Sequence, residues 1–137
     1  MVVEVKKMNV NEINAAVLAY IGDAVYEQKV REYLIYKKIN KVNELQKEAV
    51  KYVSANSQAQ ILDKLLLRQI LTEEELYTIS RSKNYKPASK PKHASVVTYK
   101  KATALEALFG MLYIKENINS KTYLITLFFI FSCFNFL

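Results

Sequence analysis

The chain has little of what interrupts or cross-links a fold. Two glycines and two prolines in 137 residues leave few breaks for a turn-rich β architecture and favour long helices. A single cysteine, Cys133, excludes an internal disulfide and fits a reducing, cytoplasmic setting. The only histidine, His93, has no cysteine near it, so nothing supports a zinc site. The stretch from Met1 to Lys7 lacks the apolar core of a signal peptide. What is present suits one all-α domain spanning residues 1–137, because 51% of the residues are hydrophobic and can build a single core.

The net charge of +7 has a definite location. From Arg81 to Lys101 there are seven basic residues and no acid, while the remainder holds thirteen of each sign. A solvated loop is one reading of this stretch. A phosphate-contacting loop is the other, since clustered cations gain from counterion release on a nucleic-acid backbone. Pro87 and Pro91 keep the stretch irregular, and Asn84, Tyr85, Ser89 and Ser95 add hydrogen-bonding groups.

Hydrophobic periodicity predicts five helices, over about 11–36, 43–53, 57–68, 73–82 and 98–116. Asn9 and Glu12 read as a capping box for the first, with Thr72 and Glu75 as another for the fourth. The second and third helices carry no evident chemistry and read as scaffold. Lys37 to Lys41 reads as a connector.

Two acids depart from the pattern of charged, solvent-facing surroundings. Asp23 lies in the apolar run Leu18–Glu27, and Glu106 in the run Ala102–Gly110. An ionised carboxylate among apolar neighbours needs a cation, a metal ion or a raised pKa. Two of them on separate helices suggest one shared site with hard oxygen ligands suited to Mg²⁺. Each has a glycine nearby, Gly22 and Gly110, which predicts close helix packing. Glu27, one turn after Asp23, either faces the same site or forms a surface ion pair, for example with Lys29 or Arg31. Phosphodiester hydrolysis with Mg²⁺ accounts for the embedded acids and the basic loop together.

The segments Leu18–Tyr26 and Thr103–Tyr113 resemble the two signature helices of ribonuclease III catalytic domains, and the likeness covers about 14–115. The match is closer to the Mini-III branch, which has no separate double-stranded-RNA-binding domain. The resemblance implies a helical homodimer that cuts both strands of double-stranded RNA, with Asp23 and Glu106 as catalytic metal ligands. It further implies maturation of large-subunit ribosomal RNA, assisted by a ribosomal protein. Larger relatives carry two more acids, where this chain has Ala19 and Thr103, as the Mini-III branch also lacks them. The branch places RNA contacts before its second signature helix, which assigns that role to Arg81, Lys83, Asn84, Lys86, Lys90 and Lys92. A catalytically idle RNA-binding or ribosome-associated module on the same fold is the alternative. The segment 119–137 departs from the family: Thr122 to Leu137 carries no charged side chain and is rich in phenylalanine. It reads as a buried or interface segment. It is short for a bilayer span of ~20 residues, and a shifted reading frame would also produce it.

Overall fold

The computed structural model describes residues 4–85 and 95–115. Two short 3-10 turns, Val5–Lys7 and Val10–Glu12, lead into five helices: α1 (Ala15–Tyr36), α2 (Val42–Val53), α3 (Ala55–Arg68), α4 (Glu73–Lys83) and α5 (Val96–Ile114). No strand occurs among the described residues.

The core forms around the pairing of α1 with α5. An added Cβ on Gly22 would lie 1.6 Å from the Glu106 carbonyl oxygen, and one on Gly110 would lie 2.0 Å from that of Leu18. The two contacts run in opposite directions along the helices, so the pair is antiparallel. Backbone meets backbone at the crossing because neither glycine has a side chain to hold the helices apart. Around it Leu18, Leu105 and Leu108 are fully enclosed, and Tyr26 meets Phe109 edge-to-face at 5.1 Å. The Tyr26 hydroxyl donates to the Tyr52 carbonyl at 2.7 Å, which ties α2 to α1. Helices α3 and α4 pack on the other sides of α5.

The helix starts follow capping chemistry, with one correction to the sequence reading. Thr72 and Glu75 form the expected capping box: the Thr72 hydroxyl accepts the Glu75 N–H, and the Glu75 carboxylate accepts the Thr72 N–H. Asn9, by contrast, does not begin the first helix. Its side chain accepts the Asn11 N–H and caps a single 3-10 turn. Ile13 is then extended and buried, and Asn14 caps α1 by accepting the Ala16 N–H at 2.8 Å. Ser54 and Ser95 cap α3 and α5, so both helices start two residues earlier than their apolar stripes suggested.

At its other end α1 closes in a Schellman arrangement. The Lys38 N–H bonds the Ile35 carbonyl and the Ile39 N–H bonds the Leu34 carbonyl. Lys38 takes the left-handed conformation, with φ 64, where glycine is the usual residue. Ile39 packs against the core and anchors the turn.

Candidate active site

Asp23 and Glu106 belong to the crossing of α1 and α5 where Gly22 abuts the Glu106 backbone, near enough for the Asp23 charge to act on Glu106. Their environments differ. Glu106 is partly covered, whereas Asp23 is exposed in the single chain. The sequence reading placed both acids among apolar neighbours. The neighbours of Asp23 are apolar but open to solvent: its side chain emerges at the edge of α1, beside exposed Ala24 and Tyr20.

The electrostatics are those of crowded carboxylates. Burial, and then the Asp23 charge, push the Glu106 carboxyl up to about 8. Burial, and then the Glu27 charge, raise Asp23. Neither acid has a hydrogen bond or ion pair among the described residues. Glu27 carries a surface pair to Arg31, 3.3 Å away, which is the plainer of its two readings, and it still contributes its charge to the site.

Hard, unpaired oxygens under mutual repulsion fit a divalent cation of the Mg²⁺ type. Among the described residues no third acid, histidine or cysteine joins them as a ligand cluster. Ala19 is buried, and Thr103 spends its hydroxyl proton on the Tyr99 carbonyl. Neither residue supplies a carboxylate.

The basic residues separate. Arg81 donates to the carbonyls of Ile13, at 2.6 Å, and Val10, at 3.2 Å, and its guanidinium lies 5.7 Å over the Tyr77 ring. The Ile13 carbonyl lies where the chain runs extended between the 3-10 turn and α1, and the Val10 carbonyl also accepts the Ile13 N–H at 3.3 Å. Arg81 therefore locks the N-terminal segment onto α4, which corrects its placement among RNA contacts. Replacing it with Ala should strand the Ile13 carbonyl, remove one of two donors from that of Val10, and lower stability by about 1–2 kcal/mol, read as a lower thermal midpoint. A melt equal to the wild type would overturn the lock. Lys83 lies at the end of α4, and Asn84 is its exposed C-cap. Lys86, Lys90, Lys92 and His93 lie outside the described residues, as do Cys133 and the apolar segment 119–137. Among the described residues no helix is long and apolar enough to cross a membrane.

Sequence reading missed the outward face of α1. Val17 is 55% exposed and Tyr20 is 83% exposed. With Met8, Ile21, Ala24 and Ile114 they line an open apolar groove that reaches Asp23. The helical pattern was visible, but apolar spacing alone does not separate a face packed on the chain's own core from one left open.

Residues 16–117 match the family model described as Ribonuclease III domain. The chain is 44% identical over 111 residues to Mini-ribonuclease 3 of Streptococcus pneumoniae, covering 81% of this chain and 87% of that protein. It is 47% identical over 104 residues to Mini-ribonuclease 3 of Brevibacillus brevis, covering 76% of each. A crystal structure of a Fusobacterium nucleatum protein superimposes with a TM-score of 0.75 at 29% identity, covering 85% of this chain and 93% of that one.

Proposed function

The chain belongs to the ribonuclease III family and is an endoribonuclease, and from that premise we propose that it cuts double-stranded RNA with Mg²⁺ held between Asp23 and Glu106. The observation that carries this reading is the raised Glu106 carboxyl beside Asp23, with no cation paired to either acid among the described residues. Such a pair is unfavourable as a purely structural feature and is relieved by a divalent ion. When bound, Mg²⁺ would activate a water molecule and offset charge on the phosphate.

The chain's own residues have divided roles. Asp23, at the open edge of α1, is the carboxylate a duplex can approach. Glu106, more covered, must lose its proton before it can hold a metal, so metal uptake releases a proton and strengthens with rising pH. Remaining ligands would be water and phosphate oxygens. Lys83, Asn84, Lys86, Lys90 and Lys92 hold the RNA backbone. The proposed substrate is precursor large-subunit ribosomal RNA, with a ribosomal protein as assisting partner. Both rest on likeness to the Mini-ribonuclease 3 proteins.

The same reading includes a homodimer. The groove beside Tyr20 continues along α1 through Glu27 to a second groove between α1 and α2, where Ile35 is 64% exposed. A protruding ring and an apolar groove on one face make a self-complementary surface under two-fold symmetry. Tyr20→Glu should give monomers by light scattering at micromolar concentration and abolish cutting of both strands. A monomeric wild type that still cuts both strands would overturn the dimer.

The deciding assay incubates the purified full chain with long double-stranded RNA, with and without Mg²⁺, beside single-stranded RNA and double-stranded DNA. Metal-dependent cuts in the RNA duplex alone are expected. Duplex binding without cleavage would leave the idle module.

A further inference from the structure

We propose that the turn joining α1 to α2 is a second phosphate-contacting site, engaged by RNA duplexes that extend beyond the cleavage point. This proposal rests on the double-stranded-RNA reading above. Between Ile35 and Asn43 the chain carries Lys37, Lys38 and Lys41 and no acid. All three lysines are exposed, and none has a carboxylate partner among the described residues. Lys7, Lys29, Arg31, Lys51, Lys101 and Lys115 each pair with an acid, whereas Lys47, Lys64, Lys83 and Lys100, like the turn lysines, do not among the described residues. The turn is distinguished by gathering three such cations within five positions.

The turn is also built to hold those charges in place. Its two Schellman hydrogen bonds and the Ile39 anchor fix the backbone. The Lys37 ammonium lies 5.4 Å over the face of the Tyr33 ring. Tyr36, 77% exposed, offers a ring edge and a hydroxyl beside the lysines. Most informative is Lys38. Glycine usually fills such a left-handed position; Gln69 takes it at the end of α3, and here the residue is a cation. The Schellman hydrogen bonds are made by backbone, so the exposed Lys38 ammonium is left for contacts outside the fold.

A role as a helix-end charge covers only part of the cluster. Lys37 lies at the negative end of the α1 dipole, but that effect fades within the last turn, and Lys38 and Lys41 fall beyond the helix. Nor can the cluster tune the carboxylates. Lys37 is about 21 Å along the axis from Asp23, well past the ~8 Å screening length at physiological salt. Its target has to be another molecule, and a polyanion fits it. Because α1 and α5 are antiparallel, the turn points the same way as the start of α5, into which the basic stretch from Arg81 to Lys101 feeds.

The test uses the full chain with Lys38→Gly alone and with Lys37→Ala, Lys38→Gly and Lys41→Ala combined. Binding is measured without Mg²⁺ against salt, on a long RNA duplex and on one just spanning the cleavage point. Lys38→Gly should melt at or above the wild-type temperature and still bind the long duplex more weakly. The triple variant should flatten the long-duplex slope of log K against log salt by about 2 to 3, at roughly 0.7 to 0.9 per lost contact. The short duplex should keep its slope. An unchanged long-duplex slope, or equal flattening on both duplexes, would overturn the proposal. So would a lower melt for Lys38→Gly, which would make the lysine a structural residue. Cleavage by the wild type is scored separately: binding with this slope but no cutting refutes the nuclease mechanism and leaves the turn's role standing.

Discussion

Asp23→Asn and Glu106→Gln should each lower single-turnover cleavage of long double-stranded RNA by about 10³-fold or more in folded protein. Both changes keep side-chain size and remove a charge that would hold Mg²⁺. Metal-assisted stabilisation of the phosphate supplies several kcal/mol, and about 4 kcal/mol corresponds to three decades in rate. Melts without metal separate this role from a structural one. The folded Glu106 carboxyl titrates at about 8 and its ordinary value is 4.5. Between those values the folded protein keeps a proton that the unfolded chain has released. Metal-free stability therefore falls as pH rises from about 4.5 to about 8, by something on the order of 2–4 kcal/mol after allowance for solvent screening. Below about pH 4.5 both the folded and the unfolded wild type keep the proton, so Glu106→Gln should melt close to wild type there. At pH 7 most of the wild-type loss has accrued and the variant should melt higher, with the full gap reached by pH 9. If Glu106 instead neutralised a buried cation, the variant would lose roughly 3–5 kcal/mol at neutral pH. A well-folded variant that still cuts at the wild-type rate removes that carboxylate from the mechanism.

Gly22→Ala should be among the most damaging substitutions to stability. The new methyl would meet the Glu106 carbonyl at 1.6 Å and the Gly110 nitrogen at 2.7 Å, both backbone atoms that no rotamer change can move. The helices must separate or shift. Overpacking commonly costs about 1–3 kcal/mol and sometimes more. Here it should exceed the ~1 kcal/mol that alanine gains inside a helix. The expected result is a thermal midpoint lower by on the order of 10 °C, with cleavage reduced because Asp23 and Glu106 lose their spacing. Calorimetry beside the cleavage assay checks both. A Gly22→Ala protein with a wild-type melt would show that the crossing has slack.

How far the sequence could be read depends on the range of the interactions involved. The capping box at Thr72 is local, and it formed as expected. The pairing of small residues with acids on two helices was a sound guide to the α1–α5 crossing, because a glycine inside a helix has few uses apart from close approach. Asn9 misled because an Asn side chain can bond the N–H two residues on in any turn, as both Asn9 and Asn14 do. The choice of helix start is fixed by Arg81, 68 positions after Ile13 in sequence, whose guanidinium donates to the carbonyls of Ile13 and Val10. Nothing local announces such a partner. Asp23's exposure was equally hidden, because a helix face that is apolar in sequence can be left open in the fold, as the groove lined by Val17, Tyr20 and Ala24 beside Asp23 is. The lysines of the α1–α2 turn read as a connector because their significance lies in unpaired charge and in the left-handed φ of Lys38.

The reciprocal glycine crossing also sets an order of events during synthesis. Its two halves, Gly22 and Gly110, lie near opposite ends of the described chain, so α1 leaves the ribosome long before α5 exists. Until then the face of α1 that will meet α5 has no partner, and its central glycine weakens the isolated helix. The contact has high sequence separation and forms at the cost of closing a long loop, which places it late in folding. Asp23 therefore has no Glu106 beside it in any nascent or half-folded chain. If the proposed pair holds the metal, its assembly acts as a completeness check: a truncated or stalled product that lacks α5 carries one of the two carboxylates and would not cut the RNA around it.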